Sequence, residues 1–248
     1  MRRSHRIAGA VGFSLATALA GTTAVATSAD ASGSAQALYK AALKIAGAQN
    51  VHFVSKATES GAVFEVIGDT GKTAGSQALV LEHGSTVEDF GVIVKGATSY
   101  VRGNATALTM ILGLTAADST KYANKWLYFP TSNTGLAQLV GGLRNKDLAG
   151  ELEMSGPYTF GGKKTIAGHA TQGIKGSATT STGSKVPITL YVETGGTPRP
   201  VREVTSASTS NPASTGIQGT VTYSKWGEKT NPVAPPNAVS LLSLAPAG

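Results

Sequence analysis

From Val51 to Asn104 the apolar residues recur at every second position through five successive runs, VHFVSKAT, AVFEVIGD, SQALVLEHG, DFGVIVKG and TSYVRGN. Alternation of this kind buries one face of a strand and wets the other, which a helix of period 3.6 cannot do. The runs are separated by SG, TGK, HGSTVE and GA, so they read as successive antiparallel strands. Phe64 and Val66 share a face of their run, as do Phe90, Val92 and Val94 of theirs. This part of the chain is expected to be a meander.

The middle of the chain follows a different period. In NATALTMILGLTAADSTKYANKW, Asn104 can cap a helix whose Leu108, Met110, Ile111, Leu112 and Leu114 crowd almost every side. Thr115 with Asp118 matches a capping box for a second helix. KWLYFP then reads as a short strand ended by Pro130, and TGLAQLVGGLRNKDLAG places Leu136, Leu139, Val140 and Leu143 at helical spacing. Before the meander, SGSAQALYKAALKIAGAQ carries a capping serine, Leu38, Ala42 and Ile45 on one stripe, and Gly47 where a helix stops.

Strands return in GPYTFGGKKTIAGHATQGIKG, with Gly161-Gly162 expected as a two-residue hairpin turn. KVPITLYVETGG, PVREVTSAS and GIQGTVTYSKWGE complete the set; Ile188, Leu190 and Val192 alternate with Thr189, Tyr191 and Glu193. The proline-rich tail TNPVAPPNAVSLLSLAPAG is expected to be irregular. About eleven strands in two blocks, with helices between, define an α+β fold. An open antiparallel sheet of that size must twist and curl. Its concave face needs cover, and the helices are expected to supply it, because a helix apolar nearly all round has to be buried or face something apolar.

The chain opens with MRRSHR and IAGAVGFSLATALAG, a basic segment followed by an apolar one, with small-residue cleavage sites at Ala24-Val25-Ala26 and Ala29-Asp30-Ala31. Residues 1–31 are therefore read as a secretory signal peptide, and 32–248 as a single domain with its irregular tail. The apolar run is short of the ~20 residues a membrane span needs. Arg2 and Arg3 leave the export route, Sec or Tat, open.

Cysteine is absent, which excludes a disulfide framework and an acylated cysteine at the mature N-terminus. The leader takes three of the 21 basic residues and one of the 14 acidic ones, leaving 18 against 13. That surplus suits loose attraction to anionic envelope polymers or to the envelope membrane; nucleic acid is not expected in that compartment. Charged residues make up 14% of the chain against ~25% for an average domain.

Motifs for chemistry fail on inspection. Asp69-Thr70-Gly71 has the core of an aspartic protease motif, but those enzymes need two such carboxylates and the sequence holds one, so a turn is expected. Gly71-Lys72-Thr73 lacks the upstream glycine of a phosphate-binding loop, since residue 66 is valine. Glu82, His83, Glu88 and Asp89 could hold a divalent cation but fall where two strands need a solvated connection. No nucleophile elbow or zinc spacing is present. No catalytic residue, metal or cofactor is therefore expected. Asn104-Ala105-Thr106 is a glycosylation sequon by pattern, equally explained as a helix cap. The apolar surplus remains: the same leucines either line a cavity for acyl chains or fill a core, and periodicity leaves both open.

An early helix, the phrase VHFVSKAT, a strand pair reaching ATSYVRGN, a helical insert closing on KWLYFP, and a last strand in YSKWGEKTNPVAPPNA together resemble the LppX/LprG-type proteins of actinobacteria. Those proteins are similar in fold to the LolA and LolB carriers. The likeness runs from about Leu38 to Ala238. It implies a half-barrel of antiparallel strands whose concave face, closed by helices, holds lipid or glycolipid acyl chains; it also implies an envelope location and no enzyme activity. Many members carry a lipobox cysteine and this chain has none, which points to a secreted or wall-retained monomer.

The expected function is thus binding or transport of acylated lipids or glycolipids in the cell envelope. Leu108, Met110, Ile111, Leu112, Leu136, Leu139, Val140 and Leu143 are expected to line the roof, and Phe53, Phe64, Val66, Val92 and Val94 the sheet wall. The alternative is an exported protein-interaction or sensor module with a filled core.

Overall fold

The computed structural model describes residues 29–59, 61–179, 185–206 and 218–244. The expected leader lies almost wholly outside the described residues; its last cleavage site, Ala29-Asp30-Ala31, opens the first helix, α1 (Ala29–Ala48). The buried side of α1 is Ala35, Tyr39, Ala42 and Ala46, with Leu38 packed beside it, so the sequence stripe was placed about one position off centre.

The meander is present: β1 (Val51–Glu59), β2 (Ala62–Thr70), β3 (Ala74–His83), β4 (Thr86–Lys95) and β5 (Thr98–Gly103) pair in order, all antiparallel. Two helices follow, α2 (Ala105–Leu112) and α3 (Ala116–Tyr122), then β6 (Leu127–Pro130) against β5. Beyond a 3-10 turn at Thr134–Leu136 come α4 (Ala137–Val140) and α5 (Asn145–Glu151). The second block is β7 (Ser155–Ile166), β8 (His169–Thr179), β9 (Lys185–Glu193), β10 (Pro200–Thr205) and β11 (Gln218–Ser224), and the tail adds β12 (Val239–Ser240).

All these strands form one open sheet of twelve, ordered β12-β6-β5-β4-β3-β2-β1-β11-β10-β9-β8-β7. The two blocks join where β1 pairs with β11, from His52 opposite Ser224 to Thr58 opposite Gln218. Eleven strands were expected; the twelfth is two residues of the proline-rich tail, which pair in parallel with β6.

Three further expectations are corrected. Gly161-Gly162 is not a turn: β7 runs through it, the register shifts between Phe160 and Lys163, and the hairpin turns at Ala167-Gly168, both at positive φ (49° and 83°). Glycines inside a strand commonly mark a bulge, and that is their role here. The stripe Leu136 to Leu143 is not one helix either, because Gly141-Gly142 interrupts it and Gly142 takes φ 71°. Finally, the HGSTVE connection shrinks to Gly84-Ser85, so Glu82, His83, Glu88 and Asp89 are strand residues. Leu81 faces Glu88 across the ladder, and Glu88 and Asp89 therefore point to opposite faces.

The caps behave as the sequence indicates. Asn104 Oδ1 accepts from the Ala107 amide at 2.8 Å while its Nδ2 donates to the Val87 carbonyl at 2.8 Å, which ties α2 to β4. Gly113, at φ 67°, closes the other end. Thr115 Oγ1 accepts from the Asp118 amide and donates to the Asp118 carboxylate, starting α3. Asn104→Ala removes both bonds of one side chain, and thermal or urea unfolding is expected to show a loss of about 1–2 kcal/mol.

Register identifies one face of the sheet through eight strands. Leu190 lies opposite Glu203, Glu203 opposite Val221, Val221 opposite Ser55, Ser55 opposite Val66, Val66 opposite Leu79, Leu79 opposite Phe90, and Phe90 opposite Gly103. All the helices that pack on the sheet do so on this inner face, and they build two cores there. One combines Ala35, Tyr39, Ala42 and Ala46 of α1 with Leu148 and Leu152 of the α5 region and with Ile174, Ile188, Leu190 and Val192 of β8 and β9. The other combines Leu108 of α2 and Leu139, Val140 and Leu143 of the α4 region with Leu79, Phe90, Val92, Val94, Val101, Leu127 and Phe129. Burial of each valine, leucine, isoleucine or phenylalanine among them is worth about 1.5–3 kcal/mol. A small third cluster, Ile166, Tyr191 and Val201, lies on the outer face.

Candidate functional site

The two cores are separate because neither set of helices covers the strands between them. Along β1, β2 and β11 the inner side chains Phe53, Phe64, Val66 and Val221 are only half-buried, unlike Val92, Val94 and Ile174 on either side. Phe53 packs against both cores. It can lie low on the sheet because Gly68 opposite it has no side chain: a Cβ there would come within 2.5 Å of Phe53 Cζ. Ser55 and Ala57, both buried, continue the same row. The result is an apolar strip running along the middle of the inner face.

One end of this strip is closed. The segment after β11 crosses the strand ends: Gly227 donates to Asn50, Asn50 to the Glu228 carbonyl, Thr230 Oγ1 to the Thr70 carbonyl at 2.8 Å, and Lys95 Nζ to the Pro232 carbonyl at 3.2 Å. The chain between α4 and α5 docks at the same end. Gly71 and Arg144 form a parallel bridge, the Thr70 hydroxyl donates to Asn145 Oδ1 at 3.1 Å, and Asn145 Nδ2 donates to Asn50 Oδ1 at 3.1 Å. Asp69-Thr70-Gly71 is therefore not the expected turn: Asp69 and Thr70 end β2, Gly71 makes the bridge, and the fully buried Thr70 anchors that segment. At the other end, α2 begins after Gly103 and carries Met110, Ile111 and Leu112.

The structure divides the expected site residues into three groups. Phe53, Phe64, Val66, Val92 and Val94 do share the inner face. Of the roof residues, Leu108, Leu139, Val140 and Leu143 are buried and packed directly with Val92 and Val94 in the second core. Ile111, Leu112 and Leu136 are half-buried at its margin, and Met110 is 45% exposed, because a helix packed against one sheet through Ala107 and Leu108 leaves its far side in solvent. Met110 is thus corrected to a surface position.

Sequence reasoning missed the polar side of the strip. Glu203 of β10 and Tyr223 of β11 are buried on the inner face, and Glu151, at the end of α5, is among the acidic groups near them. Burial, with the nearby Glu151, pushes the Glu203 carboxyl up to about 7. Burial, with Asp147, pushes Glu151 up to about 7 as well, and burial also raises the Tyr223 hydroxyl well above its ordinary range. Tyr39 holds the adjoining chain: its hydroxyl donates to the Leu152 carbonyl at 3.1 Å and accepts from the Met154 amide at 2.6 Å. Strand parity sets Glu203 on the face opposite Arg202 and Val204 but does not say which of the two faces is covered. Glu88, also inward and buried, has its carboxyl raised by desolvation.

A half-covered apolar face on a single open sheet defines a class: folds that lay helices over part of a sheet and leave the remainder accessible. No family model matches the chain, and no curated protein matches it. Among solved structures, LprF from Mycobacterium bovis superposes with a TM-score of 0.53 at 17% identity, over 84% of this chain and 98% of that one. The lipoprotein LppX of Mycobacterium tuberculosis gives 0.47 at 16% identity, over 82% and 99%. A LolA superfamily protein from Nitrosomonas europaea gives 0.26 at 12% identity, over 80% and 94%. The LppX/LprG-type resemblance therefore holds at the level of fold: the chain has the α+β architecture of LprF.

Proposed function

We propose that the protein binds acylated lipid or glycolipid, without catalysis, along the strip formed by Phe53, Phe64, Val66 and Val221. One observation carries this reading: apolar side chains on the helix-covered face are left half-buried between two cores that are each well packed. The LppX/LprG-type resemblance implies the same ligand class. Leu108, Leu139, Val140 and Leu143 act as the wall that holds the strip open, and Ile111, Leu112 and Leu136 form its margin. Each methylene placed against such a strip is worth about 0.8 kcal/mol, so ten contribute roughly 8 kcal/mol before the cost of association. The expected leader supports an exported monomer of the envelope. Among the described residues no helix is long and apolar enough to cross a membrane.

Native mass spectrometry of protein purified without detergent is expected to show one apolar adduct in stoichiometric amount. Val66→Trp, which fills the strip, is expected to lower that occupancy by about tenfold or more while circular dichroism stays unchanged. Repeatedly empty wild-type protein, or full occupancy in a folded Val66→Trp variant, would overturn the reading. Empty protein that co-purifies with one tight partner would favour an interaction module instead.

A further inference from the structure

The outer face of the sheet carries none of the helices, and its charge is unevenly spread. Between Glu153 and Glu193 the sequence holds four lysines, Lys163, Lys164, Lys175 and Lys185, and no acidic residue. This stretch builds β7, β8 and most of β9. Ile174 and Leu190 lie in the inner core, so alternation sends Lys175 of β8, and Lys185 and Tyr191 of β9, to the outer side. Lys164 of β7 lies opposite Thr171, and Arg202 of β10 opposite Tyr191, on that same side. Four adjacent strands thus present one cation each: the three lysines are exposed and Arg202 is half-buried.

Two of these cations are held in place by one ring. Gly173 pairs with Tyr191 and has no side chain, so the tyrosine lies close over it; a Cβ there would come within 3.2 Å of Tyr191 Cε1. Lys164 Nζ stands 5.1 Å from the centroid of that buried ring, and Arg202 flanks it from the next strand. Arg202 Nε is buried and has no hydrogen-bond partner among the described residues. On the outer side of β1 and β2, by contrast, charges are paired, Lys56 with Glu65 at 3.1 Å and His52 with Asp69 at 2.9 Å. Among the described residues, Lys164, Lys175, Lys185 and Arg202 have no such partner. Glu193, the acidic residue on this side of β7 to β10, is engaged by His169 at 3.1 Å, and Glu203 faces inward. Like charges left together repel one another, and an anion bound across them relieves that repulsion.

The spacing of the cations selects the occupant. They lie at the levels of Glu193, Tyr191, Thr189 and Lys185 of β9, a run of about 26 Å along a strand, longer than a single small anion. The surface between them is made of threonine and glycine, Thr159, Gly173 and Thr189. Phe160, the exposed large apolar side chain of these strands, pairs with Ile174 of the inner side, which leaves the basic side nothing to insert into a bilayer. We propose that the outer face of β7 to β10 docks an extended, hydrophilic anionic polymer, with Lys164, Lys175, Lys185 and Arg202 as its charge contacts. Docking there leaves the inner strip free and does not depend on what the strip holds.

Long-chain inorganic polyphosphate, titrated into the full chain by calorimetry, tests this. Binding is expected to weaken about tenfold or more between about 50 and 200 mM salt, because each contact releases counterions. The double variant Lys164→Ser, Lys175→Ser is expected to bind about tenfold more weakly than the wild type, and Lys175→Ser alone, which serves if the double variant does not fold, about threefold. Lys40→Ser, Lys44→Ser, which removes the same net charge from exposed positions of α1, is expected to stay within about twofold. No polyphosphate binding at low salt would overturn the proposal, as would equal losses in the two double variants. Tighter binding to phosphatidylglycerol vesicles than to polyphosphate would overturn the polymer as the occupant.

Discussion

Gly75→Ala is expected to cost about 3 kcal/mol or more of folding free energy, whereas Gly91→Ala, on the neighbouring strand of the same ladder, is expected to stay within about 0.5 kcal/mol. A Cβ at Gly75 would press into the Leu143 carbonyl oxygen and lie 2.8 Å from the Asp69 carbonyl oxygen, both backbone atoms with no freedom to rotate away. The Leu143 carbonyl also accepts from the Gly71 amide at 3.4 Å, and the Asn145 amide donates to the Gly71 carbonyl at 3.1 Å. Moving that segment therefore breaks backbone hydrogen bonds, strains the Thr70 to Asn145 contact and draws Leu143 out of its core. At Gly91 the nearest atom to an added Cβ is Trp126 Cη2 at 3.8 Å, an ordinary contact. Urea denaturation of both variants decides the matter: equal midpoints would mean that the chain around Leu143 does not sit against β3 as described.

The second large effect is a dependence of stability on pH with an unusual sign. Most carboxylates in folded proteins have lowered proton affinity and lose stability in acid. Glu203 and Glu151 are raised from 4.5 to about 7, by burial first and then by acidic neighbours. Below pH 4.5 both the folded and unfolded forms hold these protons and the groups contribute nothing. Between 4.5 and 7 the unfolded chain ionises first while the folded chain keeps its protons, so stability falls as pH rises, and it levels off above 7. At about 1.4 kcal/mol per unit, Glu203 by itself accounts for a decline on the order of 3 kcal/mol. Denaturant melts from pH 4.5 to 8 are expected to show that decline in the wild type and a much flatter curve for Glu203→Gln. A wild-type curve that rises with pH across this window would contradict the buried position of the pair.

These two effects lie at sites that the sequence read poorly. Gly75 precedes a plain strand run, and nothing near it in the sequence names Leu143 as its neighbour. Glu203 was seen as a member of a strand, but its carboxylate was left unassigned because parity gives two faces without saying which is covered. By contrast, Asn104 and Thr115 with Asp118 were legible as caps, since a cap is complete within four residues. The Gly161-Gly162 turn failed for the opposite reason: a glycine pair suits a bulge and a turn equally, and the pairing of β7 with β8 chose the bulge. The roof leucines were legible only in part. Their apolar character was right, but whether Leu108 and Leu143 line a hollow or plug it depends on distances to Val92 and Val94 that no spacing encodes.

What the sequence determined unaided is local: the period of each strand, the caps of α2 and α3, the break at Pro130, and the common face of Phe53, Phe64 and Val66 once their strands pair. These follow from backbone geometry and side-chain alternation over a few residues. Tertiary structure alone decided that β1 closes on β11, that the helices build two cores instead of one, and that an apolar strip lies between them on the face where Glu203 is buried. Those outcomes depend on contacts between residues far apart in the chain, where packing volume and desolvation select one arrangement and local pattern is silent.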